Sequence, residues 1–200
     1  MTPRNRNSLI TACVIALAYA PFLHAQEWTR FRGPNGSGVS DAKTVPVKWT
    51  DADYKWKIDL LGIGHSSPVV WGHRLFVTSA DAAAGKRSLL CIDTGYGSTL
   101  WTRDFGLKRF RTHKNNSLAS GTPTVDADHV YVLWQSPTTS PLIAYDHEGN
   151  QKWEYDLRPY KHGQGPGTSP IVYQDLVIVS NDHKQDSFLL AVDRRNGTER

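Results

Sequence analysis

The stretch Asp146-His-Glu-Gly149-Asn-Gln-Lys-Trp153-Glu-Tyr-Asp-Leu157 decides the fold, because the chain repeats it in outline on either side. Upstream stands Asp93-Thr-Gly-Tyr-Gly97-Ser-Thr-Leu-Trp101-Thr-Arg-Asp-Phe105, and downstream Asp193-Arg-Arg-Asn-Gly197-Thr-Glu-Arg200. Each reads Asp, two or three residues, Gly, three residues, then Trp, with the third tryptophan falling one position past Arg200. The lead-ins repeat as well. Leu89-Leu-Cys-Ile92, Leu142-Ile-Ala-Tyr145 and Leu189-Leu-Ala-Val192 precede the aspartates. Ahead of these lie the β-branched runs Arg74-Leu-Phe-Val-Thr-Ser79, His129-Val-Tyr-Val-Leu-Trp134 and Asp175-Leu-Val-Ile-Val-Ser180. Ser67-Pro68, Thr122-Pro123 and Ser169-Pro170 open the three units. The prolines are 55 and 47 residues apart and the aspartates 53 and 47, so several landmarks share a period near fifty.

Each unit offers four short strands bounded by Gly, Pro, Asn or Asp, and no helical period appears beyond residue 25. The proline suits a strand's first residue, where a missing donor costs nothing. Gly97, Gly149 and Gly197 supply the positive φ of a tight hairpin. Asp93, Asp146 and Asp193 can accept turn amides as Asx turns. Tyr54-Lys-Trp56-Lys-Ile-Asp-Leu60 copies only the tail of the unit and predicts a lone last strand able to close a ring. Tandem four-stranded units with such a strand predict an all-β β-propeller. A tryptophan at one position per unit would pack between blades, burying about 150–250 Å² each. Solenoid stacking is the alternative, and it leaves the lone strand without a purpose.

The expected organisation is an export signal over residues 1–25, an arm with the ring-closing strand over 26–60, and blades over 61–107, 108–160 and 161–200. Arg4 and Arg6, the apolar Leu9–Leu23 and the small-residue Leu23-His-Ala25 make the signal. No later run is long and apolar enough to span a membrane. Removing Arg4 and Arg6 from the 23 Lys and Arg leaves 21 against 19 acids, a near-neutral balance without a nucleic-acid footprint. Cys91 would then be the lone cysteine, and its place in an apolar run marks it as a small buried hydrophobe. The glycines of Trp28–Gly38 form a turn-rich arm, since no Gly-Lys-Ser/Thr follows that could make a phosphate loop.

The Asp…Gly-x-x-x-Trp pattern after Ala/Ile/Leu-rich strands resembles the pyrroloquinoline-quinone (PQQ) type propeller repeat. Quinoprotein dehydrogenases share that repeat with BamB-like outer-membrane assembly proteins. Phe31-Arg-Gly-Pro-Asn-Gly-Ser-Gly38 and Gly64-His-Ser-Ser-Pro68 look like exported PQQ-binding-like propellers of planctomycete-type bacteria. The resemblance covers about residues 28–200 and implies seven or eight blades in the whole protein, about three of them here. It implies that further blades complete the ring, and a periplasmic or cell-envelope location. Two functions follow: a non-catalytic scaffold binding an envelope protein or glycan without a cofactor, or a PQQ- and calcium-dependent dehydrogenase of alcohols or sugars. A third reading, carbohydrate binding, would use Trp71 and Trp134, which read better as packing residues.

Candidate ligand-binding residues lie in the segments leading into the inner strands: His65, His113, Lys114, Asn115, Asn116 and His162. In a propeller these converge on one face of the channel and could line a polar pocket. The offsets from His65, His113 and His162 to the repeat prolines Pro68, Pro123 and Pro170 are 3, 10 and 8, so no metal-ligand geometry repeats. No Ser-His-Asp set or nucleophile elbow appears, and no catalytic residue is assigned. The thrice-repeated aspartates read as turn structure, because catalysis needs a unique residue.

Overall fold

A computed structural model describes residues 27–161, 163–184 and 186–200. The expected signal over 1–25 and the candidate His162 lie outside the described residues. Strands β1 (Val69–Trp71), β2 (Arg74–Asp81), β3 (Lys86–Asp93) and β4 (Thr99–Gly106) make one antiparallel sheet in sequence order. A second sheet holds β5 (Thr124–Val125), β6 (His129–Leu133), β7 (Pro141–Asp146) and β8 (Gln151–Asp156), also in order. The third holds β9 (Ile171–Tyr173), β10 (Leu176–Asn181) and β11 (Phe188–Asp193), with Glu199 bridging Val192 where a fourth strand would start. Helix is confined among the described residues to one 3₁₀ turn, Asp51–Asp53, and none is long and apolar enough to cross a membrane. The fold is an all-β partial propeller.

The cores lie between sheets, and period two decides which residue faces which neighbour. Along β6, Val130, Val132 and the following Trp134 face the first sheet, packing with Phe76, Leu89 and Cys91. The intervening Tyr131 and Leu133 face the third, packing with Val177, Val179 and Leu190. A middle strand buried on both faces has to be apolar throughout, and Leu142, Ile143 and Ala144 of β7 are all 0 % exposed. Outer strand β4 has one covered face, so Trp101, Arg103 and Phe105 are half-buried while Leu100, Thr102 and Asp104 are exposed.

Repeated residues join the blades. Trp101 Nε1 donates to the His147 carbonyl (2.9 Å) and Trp153 Nε1 to the Arg194 carbonyl (3.0 Å), each in the next sheet's third-to-fourth-strand turn. Trp56 Nε1 does the same to Thr94 (2.9 Å). The turn glycines have the expected positive φ, +71°, +83° and +73° at Gly97, Gly149 and Gly197. They are needed for a second reason: a Cβ there would lie 2.7–2.8 Å from the indoles of Trp56, Trp101 and Trp153. The aspartates accept turn amides as expected, Asp93 Oδ1 from Gly95 and Tyr96 and Asp146 Oδ1 from Glu148 and Asn150. At the inner strands the Ser/Thr before each proline links neighbouring units. Ser67 N donates to Thr122 Oγ1 (3.0 Å) and Thr122 N to Ser169 Oγ (2.9 Å).

Among the described residues Tyr54–Leu60 joins no ladder, and Trp56 takes the position its repeat counterparts take. The arm is more than turns. Trp28 exchanges two backbone hydrogen bonds with Val70 (3.1 and 2.9 Å), and the Thr29 carbonyl accepts from Val125 N (2.8 Å). The arm therefore continues the inner edge of the first two sheets.

Cys91 is fully buried, and burial pushes its thiol up from 9.0 to about 12. A folded-state pKa above the unfolded one means stability that is complete below pH 9 and lost as pH rises toward 12. The difference in unfolding free energy between the wild type and Cys91→Ala should therefore shrink over that window. In the folded protein at pH 8 a disulfide reagent should leave the thiol unmodified; rapid modification would show that the strand opens.

Candidate functional site

Antiparallel meanders place their tight turns at one end and their long connections at the other. The turn end is tied together by charge. Arg194 Nη1 binds Asp126 (3.0 Å) and Asp128 (2.8 Å), and the Tyr131 hydroxyl donates to Asp126 Oδ2 (2.9 Å). The Arg194 hydrogen bond holds Asp128 below the usual carboxylate range, and burial raises the Tyr131 phenol. Arg74 pairs with Glu148 across the first two sheets (2.9 Å). These groups are engaged with one another.

The connection end carries the candidate residues. The His65 amide donates to the Ala119 carbonyl (3.0 Å) and the His113 amide to the Gln164 carbonyl (3.1 Å). The His113 Nδ1 accepts from the Asn115 amide (3.2 Å). Asn116 Nδ2 donates to the carbonyls of Gln164 (2.7 Å) and Pro166 (3.0 Å), while its Oδ1 accepts from Ser117 N and Ser120 Oγ. The structure thus brings the 113–116 segment against 164–166 and joins His65 to the same connection through Ala119. It spends Asn116 on holding the next connection in place. His65, His113, Lys114 and Asn115 are exposed. Trp134 is 2 % exposed and Trp71 is half-buried against the core, so both serve as packing residues.

Beneath the first connection lies a cleft of about 770 Å³, walled by Gly62, Ile63, the Ala80–Ala83 stretch, Arg109–Thr112 and Asn116–Leu118. Asn116 is the one sequence candidate that lines it. Arg109 and Arg111 are exposed and make no hydrogen bond or ion pair among the described residues. Asp81, the carboxylate on this wall, spends Oδ1 on the amides of Ala83 and Ala84 (2.9 Å each). Asp104 is held by Lys86 (2.9 Å) and Ser88 (2.6 Å). Below the Ala82–Gly85 loop, buried Arg87 stacks 5.0 Å from the Trp134 ring and donates to the Gln135 carbonyl (3.1 Å), with no carboxylate partner. Burial lowers that guanidinium to about 10. A sequence signal for the arginines exists: no acid stands between Asp104 and Asp126, while Lys108, Arg109, Arg111 and Lys114 do.

A PQQ and calcium site needs gathered oxygen ligands around the ion and cations for the cofactor's carboxylates. Among the described residues no group of three or more His, Cys, Asp or Glu is placed to hold a metal ion. The acidic residue in the cleft lining is Asp81.

Four-stranded antiparallel sheets laid face to face, with short inner strands linked side by side, define a propeller-type repeat protein. The family model described as outer membrane protein assembly factor BamB matches residues 34–200, and the chain belongs to that family. Three solved structures show likeness. A europium-containing methanol dehydrogenase is 18% identical with a TM-score of 0.49, over 68% of this chain and 24% of that one. A quinohemoprotein alcohol dehydrogenase from Pseudomonas putida HK5 is 18% identical with a TM-score of 0.45, over 66% and 25%. BamB from Moraxella catarrhalis is 20% identical with a TM-score of 0.43, over 73% and 40%. The chain thus spans a quarter to two fifths of their lengths. Comparison with curated proteins gives no match.

Proposed function

We propose that this chain is part of an exported, non-catalytic propeller that acts as a binding or assembly scaffold in the cell envelope. One observation carries the reading: the recurrent polar groups are spent on structure, while Arg109, Arg111 and Lys114 stand exposed and unpaired together on the connection end among the described residues. The repeated aspartates cap turns, the tryptophans and Ser/Thr hydroxyls join blades, and the turn-end charges neutralise one another. What stays available are exposed side chains on one rigid rim, the usual place for a contact surface on a repeat scaffold. The family's description as an outer membrane protein assembly factor supports a partner in the envelope. An envelope protein is the partner favoured by that description, with a glycan as the other occupant.

The experiment is site-specific cross-linking in the native host, using the whole protein. A photoreactive residue at Lys114 or Asn115 should give a defined adduct, and one at Glu148 on the turn end should give none. Equal labelling from both ends would overturn the placement of the contact surface. A quinone absorption band in the natively purified protein would overturn the non-catalytic reading. So would dye-linked alcohol oxidation on adding PQQ and calcium.

A further inference from the structure

We infer that the cleft under the first connection is a binding site for a small organic anion, a carboxylate or phosphate joined to an apolar body. The inference goes beyond the scaffold reading and does not depend on it. Two observations meet in one place. Arg109 and Arg111 line the cleft and have no partner among the described residues, although a guanidinium offers a planar fork matched to oxyanions. Apart from Asp81, the Ile63 and Ala80–Ala83 part of the lining is apolar, and Phe110 and Leu118 add apolar surface on the connection side. Phe110 and Leu118 are held by packing on the core between the first two sheets, so this wall is pre-formed.

The lining carries two guanidiniums against one carboxylate, Asp81, a net positive balance. Asp81 keeps its Oδ1 turned to its own loop amides, and Asp104 is neutralised by Lys86. Buried Arg87, paired in register with Ala80 of the lining, has no carboxylate partner among the described residues. An inorganic anion would satisfy the arginines and leave the apolar wall wet. A neutral apolar molecule would leave two guanidiniums without oxygens. A molecule carrying both parts satisfies both walls, and a cleft of about 770 Å³ is large enough for a ring or short acyl chain with its acid group.

Calorimetric titration of the whole protein tests this with four probes: phenyl phosphate, benzoate, inorganic phosphate and benzyl alcohol. Phenyl phosphate or benzoate should bind saturably, and whichever binds tighter names the acid group. The tighter of the two should exceed inorganic phosphate by about tenfold, the worth of burying part of a ring. Arg109→Gln and Arg111→Gln should each weaken that binding about tenfold, as expected for losing one charge-assisted contact. Lys108→Gln removes the same charge outside the cleft and should change affinity less than about twofold. Ala82→Glu, on an exposed loop, should abolish binding with the melting temperature unchanged. Equal affinity for inorganic phosphate and phenyl phosphate would reduce the site to a charged surface and overturn the inference. Equal effects of Lys108→Gln and Arg109→Gln, or no saturable binding of any probe below about 10 mM, would overturn it too.

Discussion

Replacing Trp153 with alanine is expected to lower the unfolding free energy by about 3–5 kcal/mol, the range for emptying a large aromatic site in a core. The indole is 7 % exposed and stands between the second and third sheets, in the cluster that holds Tyr131, Leu142, Val177 and Val192. Its ring lies 5.8 Å from that of Tyr131, and its Nε1 is the donor to the Arg194 carbonyl. Truncation opens a cavity and removes one of the two donors, Trp153 Nε1 and the Tyr131 hydroxyl, within reach of that carbonyl. Trp56→Ala provides the scale from inside the same protein. Trp56 makes the equivalent hydrogen bond, yet it is half-buried and packs on the outer face of the first sheet alone. Its removal should cost clearly less. Urea denaturation of both variants reads the difference, and a loss below about 1 kcal/mol for Trp153→Ala would remove the wedge between blades.

The fold was legible because several independent landmarks recur together, and each recurrence constrains the others. Alternation along β4 and the unbroken apolar run of β7 follow from having one covered face or two, so composition alone marks outer and middle strands. Links between units were harder to read. Within one copy, Gly149 and Trp153 look like parts of the same hairpin. In space Gly149 meets Trp101 of the preceding unit, and Trp153 meets Gly197 of the following one. A period in sequence cannot tell a contact within a unit from the same contact shifted by one unit. The Ser/Thr hydroxyls were overshadowed by the prolines beside them for the same reason. Tyr54–Leu60 carries the right side chains for a strand, but a ladder depends on a neighbouring backbone, which side-chain pattern does not encode.

The candidate residues were chosen as polar groups on convergent loops, and Asn116, His113 and His65 do lie on connections that touch. Convergence was legible, whereas commitment was not. Asn116 reads identically whether its amide is free or, as here, tied to two carbonyls. Arg109 and Arg111 escaped notice because the chain's overall balance is near neutral. A local run without acids disappears in a sum over the whole chain, 23 Lys and Arg against 19 Asp and Glu.

Gly149→Ala should cost about 2–5 kcal/mol, and a second substitution separates its two causes. The residue has φ of +83°, where an alanine bears about 1–2 kcal/mol of strain. An added Cβ would also lie 2.8 Å from the Trp101 ring and from Arg103 Nη2. The arginine can move only by giving up its Nε hydrogen bond to the Gly149 carbonyl and its place over the Trp101 ring. The indole cannot move without giving up its hydrogen bond to the His147 carbonyl, so overpacking adds about 1–3 kcal/mol. In a Trp101→Ala background the indole's share vanishes, leaving the strain and the contact with Arg103. The double-mutant cycle should therefore show a coupling of about 1–3 kcal/mol between residues 48 positions apart in sequence. Zero coupling would mean that the glycine serves its own hairpin and nothing more. Measurable coupling would mean that the Asp…Gly…Trp period records a joint between successive blades. Each unit would then keep its glycine because of its neighbour's tryptophan, and the repeat could persist only as a set.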